Sequence, residues 1–334
     1  MPSAVVRTSP PSVVSVSPVK PRWNLTAPRR GANATETFGG GFADVSWSKA
    51  ALPLALAVAP GARGMTSVLI TGAAGMIAGE LRKRLSPQFS LKLTDIQPVG
   101  PLSEREQFVA ADLADASALE AVMNGVQAVV HLGGVAVEDT WEKIMSANLA
   151  GAYNVFEAAR RQGVKRIIMA SSNHAVGYFP RSEVIDDRVL PRPDGRYGLS
   201  KAFAETLGRL YADKYHMEVF CIRIGAMTLE PEDVRRLATW IHPDDLTSLV
   251  ELGLSVPGLH HEIVYGMSDN KRAWWDNSNA LRLGYRPRHQ SEHYADAVIA
   301  REPPRDLNDP AEIYQGGTFV TAESVVHRKF VTGR

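Results

Sequence analysis

The chain has a single cysteine, Cys221, among 334 residues. One thiol can build neither a disulfide framework nor a cysteine-rich zinc site, and no metal is expected. Cys221 lies in the apolar run Val219-Phe220-Cys221-Ile222 and reads as a small buried hydrophobe in a reducing, cytoplasmic setting. Long apolar runs are also lacking. A spanning helix needs roughly 18 apolar residues; the nearest candidate, residues 50–59, is short and contains Pro53. Surplus charge is missing as well. The net charge is +1, without the basic excess that marks nucleic-acid binding. Acids are scarce at the start: none precedes Glu36, and residues 1–64 hold seven Lys/Arg against two acids. That stretch opens rich in Pro, Ser and Ala and shows no helical or strand period, so it reads as a disordered extension. It is either a targeting segment or lies ahead of a true start at Met65, and the second reading is favoured because Met65 stands just before the first strand.

What remains is 45% hydrophobic overall, enough for a sizeable core. Ser67-Val68-Leu69-Ile70-Thr71 reads as a buried strand. Gly72-Ala73-Ala74-Gly75-Met76-Ile77-Ala78-Gly79 follows, then a helical pattern with Leu81 and Leu85. Strand, glycine turn and helix are the layout of a dinucleotide-binding unit. Gly72 permits the turn, Gly75 lets backbone approach a pyrophosphate, and Ala78 lets the helix pack close on the strand. The helix start, Met76 and Ile77, offers free N–H groups to phosphate. A second strand, residues 91–95, ends in Asp95, about twenty residues on. An acid there accepts hydrogen bonds from ribose hydroxyls and repels a 2′-phosphate, which predicts NAD over NADP.

Strands and helices keep alternating. Residues 107–110 lead to Asp112-Leu113, a helix follows with Leu119 and Val122, and residues 128–132 end in Leu132-Gly133-Gly134. A helix is expected over about residues 150–162, then a strand over 164–170 that runs into Ser171-Ser172-Asn173-His174. This order predicts an α/β fold, a doubly wound parallel sheet of Rossmann type. The domains expected are an NAD-binding domain over 65–227 and a small substrate lobe over 228–334. All the singled-out turns fall at strand carboxyl ends, where such sheets bind ligands.

Tyr197-Gly198-Leu199-Ser200-Lys201 opens a long helical stretch and is the only Tyr-x-x-x-Lys in the chain. Residues four apart share a helix face. A phenol is a weak base at neutral pH, and a nearby ammonium favours phenolate. Tyr197 is therefore expected to have a lowered pKa and to remove a hydroxyl proton while hydride leaves the same carbon. Ser172 would hold the reacting oxygen.

At these residues residues 65–334 resemble the extended short-chain dehydrogenases, and within them the uronate dehydrogenases. The shared marks are Thr71 to Gly75, Asp112-Leu113, His131 to Gly134, Asn148, Ala170 to His174, Tyr197 to Lys201, Arg223-Ile224-Gly225, Trp274 to Asn277 and Gln315 to Phe319. The resemblance implies NAD-dependent oxidation of a hexuronic acid, galacturonate or glucuronate, at C1 to an aldarolactone. It implies cofactor contacts at Asn148, Ile224 and Lys201, and sugar contacts at Val135, Ser172, Asn173 and His174. It puts Arg235 against the substrate carboxylate, in keeping with arginine's paired hydrogen bonds to such groups. It also implies a homo-oligomer. Ala136 and Ala226 depart from the family, which carries serine at both. Each change removes a possible sugar contact of about 0.5–1.5 kcal/mol.

Other clusters read as structural. His260-His261-Glu262 lacks metal-site spacing and is expected in a surface loop. Trp274-Trp275 reads as packing, and His131 as a support for its loop. Two other functions fit the scaffold. A nucleotide-sugar epimerase or dehydratase would need room and basic residues for a second diphosphate, for which the last 110 residues or so are small. A non-catalytic NAD-binding regulator would not need both Tyr197 and Lys201.

Overall fold

A computed structural model describes residues 66–322. The expected extension over 1–64 and the start at Met65 lie outside the described residues. The first half runs β1 (Ser67–Thr71), α1 (Met76–Leu85), β2 (Ser90–Thr94), β3 (Glu106–Phe108), α2 (Ala116–Val122), β4 (Ala128–His131), α3 (Trp141–Ile144), a π-helical segment (Met145–Ala150), α4 (Gly151–Arg161), β5 (Arg166–Ser172), α5 (Arg196–Tyr215) and β6 (Glu218–Ile224). The second half runs β7 (Ala226–Met227), α6 (Arg236–Thr239), β8 (Trp240–Ile241), α7 (Pro243–Ser255), β9 (His261–Gly266), α8 (Ser278–Leu283), α9 (Ala295–Arg301) and α10 (Pro310–Ile313).

Seven strands form one sheet in the order β3-β2-β1-β4-β5-β6-β9, and every pairing is parallel. β1 and β4 are buried at almost every position, with the apolar runs Val68–Ile70 and Ala128–Val130, because helices cover both faces of the sheet. One face buries Leu81 and Leu85 of α1 with Leu246, Leu249 and Val250 of α7. The other buries Val155 and Phe156 of α4 with Leu207 and Tyr211 of α5. Cys221 is fully buried on that second face, as its apolar run requires. A doubly wound sheet is thus confirmed. Among the described residues no helix is long and apolar enough to cross a membrane.

The second half does more than form a lobe. β9 completes the sheet and α7 covers one face, so the boundary expected at 227/228 falls inside a continuous sheet. His261 and Glu262, expected in a surface loop, open β9 instead, and His261 Nε2 bonds Glu205 O at 3.0 Å. The small two-stranded sheet β7–β8 stands apart and pairs Ala226 with Trp240. The π-helical turn had no signature in the hydrophobic pattern, which reads only as the lead into α4.

Candidate active site

The strand ends build the site. Parallel register sets Thr71 beside His131, Ser172 beside Ile224, and Ile224 beside Gly266, so the carboxyl ends of β1, β4, β5, β6 and β9 open on one edge. Gly72 follows β1 with φ of 69°, a left-handed conformation that favours glycine. A Cβ there would lie 2.7 Å from the Cα of Gly133, so the turns after β1 and β4 can touch only without one. Thr71 Oγ1 bonds His131 Nδ1 at 2.7 Å and accepts from Gly133 N at 3.3 Å, which places His131 as a support for its loop. Gly75 is different. Its φ is −74° and a Cβ would meet little but Gly72 O, so its openness serves what approaches from outside.

These turns enclose a cavity of about 390 Å³. Gly72, Gly75, Met76 and Ile77 form one wall, Asp95, Asp112 and Leu113 a second, and Leu132, Gly133, Gly134 and Val135 a third. The residues expected at a dinucleotide after β1, β2, β3 and β4 therefore face one space. Asp95 also closes its own turn, accepting from Gln97 N at 2.9 Å, while its other oxygen accepts from Ala74 N at 3.0 Å. Leu113 packs where side chains on Gly133 and Gly151 would collide with it. Ala136 lines the same cavity.

Asn148, Lys201 and Ile224 are not on that wall. Asn148 sits buried in the π-helical turn, a feature frequent at functional sites. Its amide accepts from Val135 N at 2.7 Å, donates to Val135 O at 2.9 Å and donates to Ser200 Oγ at 2.9 Å. Ser200 Oγ in turn donates to Tyr197 O at 2.7 Å. Asn148 thus joins the cavity loop to the first turn of α5.

That turn carries Tyr197 and Lys201, both buried. Glu138 caps it: Oε2 accepts from Tyr197 N at 2.9 Å and Oε1 from Arg196 N at 3.1 Å. A side chain on Gly198 would collide with the His174 carbonyl, so glycine lets α5 press onto the end of β5. Lys201 Nζ lies 5.5 Å from the Tyr197 ring centroid and donates to Ala170 O at 2.8 Å. The expected lowering of the tyrosine pKa is not what the protein alone produces. Burial pushes Tyr197 up to about 12, with the Ser172 side chain opposing. Burial also pulls Lys201 down to about 8, against the pull of Glu205. At both groups desolvation outweighs the interactions that oppose it.

Ser172 caps the 3₁₀ turn Asn173–Val176 by accepting from His174 N at 3.2 Å. Asn173, with its amide turned to satisfy its neighbours, donates to Ile224 O at 3.2 Å and accepts from Arg235 Nη2 at 3.0 Å. Arg235 gives Nε and Nη2 to the Gln315 carbonyl, at 3.0 and 2.8 Å. Among the described residues the part-buried Arg235 makes no salt bridge, and desolvation pulls it down to about 10. The site therefore holds a poorly hydrated cation without an anion.

The segment after α10 roofs this cluster. Phe319 stacks on His174 with ring centroids 3.7 Å apart, and Gly317, at φ of 64°, leaves room for Arg235. Gln315 Oε1 also accepts from Trp275 Nε1 at 2.9 Å, and Trp275 stacks on Tyr265 in the packing role expected of it. Glu138, Asp194, Ser200 and the roof contacts escaped the sequence reading. Only the Gln315-Gly316-Gly317-Thr318-Phe319 run gave any sign of them, as a family mark without an assigned role.

The model of the NAD dependent epimerase/dehydratase family matches residues 68–254. Uronate dehydrogenase of Pseudomonas putida is 45% identical over 257 residues, 76% of this chain and 96% of that protein. The crystal structure of glucuronic acid dehydrogenase from Chromohalobacter salexigens superposes with a TM-score of 0.76 at 43% identity, covering 77% of this chain and 97% of that one. An NAD complex of uronate dehydrogenase from Agrobacterium tumefaciens gives a TM-score of 0.75 at 43% identity, covering 78% and 98%.

Proposed function

The chain belongs to the NAD dependent epimerase/dehydratase family, and we propose that within it the protein oxidises C1 of a hexuronic acid to an aldarolactone. The observation that carries the substrate reading is Arg235. It is a part-buried guanidinium without a carboxylate, tied to Asn173 beside Ser172 and roofed by the segment that stacks on His174. A substrate carboxylate satisfies it with charge-assisted hydrogen bonds worth about 1.5–3 kcal/mol.

The cavity lining suits NAD: the open glycine turn at a helix start would hold the pyrophosphate, and Asp95 would accept from the ribose hydroxyls. Bound there, it supplies the hydride acceptor. Met76, Ile77, Asp112, Leu113, Leu132, Gly133 and Gly134 shape its walls, Asn148 fixes the wall from behind through Val135, and Ile224, at the end of β6, is read as a further cofactor contact. Ser172 holds the C1 oxygen, Tyr197 takes its proton, and Lys201 shares that proton's charge. Val135, Asn173 and His174 complete the sugar site. Ala136 and Ala226 each withhold a hydroxyl, which leaves Arg235 the larger part in binding. The reading includes a homo-oligomeric, cytoplasmic enzyme.

Mixing the purified full chain with NAD and galacturonate or glucuronate is expected to form NADH, and galactose to give far less. Turnover of galactose with none of either acid would overturn the substrate assignment.

A further inference from the structure

Asp194 precedes α5 and has a fully buried side chain. Its Oδ2 lies 2.6 Å from His174 Nδ1, and its backbone N–H donates to the His174 carbonyl at 3.3 Å. Among the described residues its Oδ1 has no partner. An unpaired buried carboxylate oxygen is costly, so this arrangement has to be held by its surroundings. Glycines hold it. Gly177 and Gly316 come from two distant segments, and a side chain on either would collide with the Asp194 carboxylate; one on Gly198 would crowd Oδ1 at 2.9 Å.

The imidazole is fixed on its other sides too. Phe319 stacks on one face at 3.7 Å, and the Tyr197 ring stands edge-on at 5.8 Å. Burial keeps the ring neutral by pulling its pKa below the usual histidine value, against the pull of Asp194. A carboxylate accepts only, so the Nδ1 edge must carry the ring's single proton. Nε2 is then a bare lone pair, and no described residue bonds it.

We propose that Asp194 is a positioning residue that locks His174 in the Nδ1–H tautomer, so that Nε2 accepts a hydrogen bond from a hydroxyl of the substrate. The proposal rests on the sugar-acid reading for the identity of that hydroxyl, but not for the tautomer. It makes His174 a selector of hydroxyl donors: a carbonyl or ether oxygen at that place finds no proton to bind. A site built to accept from a hydroxyl rejects analogues lacking one, because its acceptor is left unpaired.

Nitrogen-15 NMR of histidine-labelled full chain tests this directly, with the His174 signals identified by their loss in His174→Gln. The expected spectrum shows a protonated Nδ1 and a bare Nε2; a protonated Nε2 in the unaltered protein would overturn the proposal, and this arm needs neither a folded Asp194 variant nor a working substrate. In Asp194→Ala the tautomers should redistribute. There kcat/KM for the sugar acid should fall roughly tenfold, about one hydrogen bond's worth, with NAD affinity unchanged. Made on the His174→Gln background, the same change should cost less than about twofold. An equal loss on both backgrounds would mean that Asp194 only supports the fold, and would also overturn it. Failure of every uronate to react would count against the substrate reading alone, since the imidazole signals still decide the tautomer.

Discussion

The protonation of Tyr197 and Lys201 should set the pH dependence of turnover, and the structure gives its form. Oxidation needs the pair to hold one proton fewer than when fully protonated: a phenolate with an ammonium, or its tautomer. Lys201 sits near 8 and Tyr197 near 12, so the pair loses its first proton near 8 and its second near 12. The singly protonated pair then makes up about one part in a hundred at pH 6, about a tenth at pH 7 and about half at pH 8. Log kcat/KM should therefore rise by about one per pH unit and level off near pH 8. Positive charge on bound oxidised NAD can only move that break downward, because it favours proton loss. Neighbouring histidines do not imitate the effect. Burial holds His131 at about 3 and pulls His174 below its usual value, so neither charges above neutrality. Glu205 works the other way on Lys201, and the value near 8 already includes it. Initial rates of NADH formation at saturating NAD across pH 6 to 10 measure the profile. In Lys201→Met the break should vanish and the rate should keep climbing toward the tyrosine's own ionisation. A flat or falling profile between pH 6 and 8, or a break near 8 that survives in Lys201→Met, would refute the shared-proton argument.

Three substitutions probe the remaining parts. Tyr197→Phe should lower turnover by about 10²–10⁴, the range for general acid–base groups, while NAD affinity by fluorescence titration stays within about twofold. Arg235→Ala should raise KM for uronates about 10- to 100-fold, from the loss of a charge-assisted hydrogen bond, and leave NAD affinity alone; an unchanged KM would mean that the carboxylate binds elsewhere. Gly72→Ala should destabilise the fold by about 1–3 kcal/mol, because it forces a left-handed alanine against Gly133, and a denaturant midpoint identical to that of the unaltered chain would show the turn to be looser than its contacts imply.

The parts legible in the sequence share one property: each is encoded within a few consecutive residues. β1, β4 and the apolar part of β6 are unbroken apolar runs because both sheet faces are covered, and the glycine turn follows its strand directly. Tyr197 and Lys201 declare themselves by helical spacing. The lowered tyrosine pKa expected from that spacing failed for a related reason. Spacing reveals the neighbour but not the depth, and burial of both groups decides the sign here. The π-helical turn that carries Asn148 was illegible too, since nothing in its six residues, Met145 to Ala150, separates a π turn from the start of α4.

What the sequence could not reveal is closure over long separations. Asp194 reaches His174 across 20 positions, and Arg235 reaches the Gln315 carbonyl across 80. No local period connects such residues; only the folded sheet brings them together. The glycines are the exception that shows how such sites can be read. Gly177, Gly198 and Gly316 have no positive φ to require glycine, yet a side chain on any of them would strike Asp194 or the His174 carbonyl. In an ordinary turn glycine answers to the backbone. Here it answers to a neighbour far along the chain, and three glycines converging on one carboxylate mark a place where the fold keeps a polar group at the expense of its own packing. That convergence picks out Asp194 as part of the site more sharply than any motif that contains it.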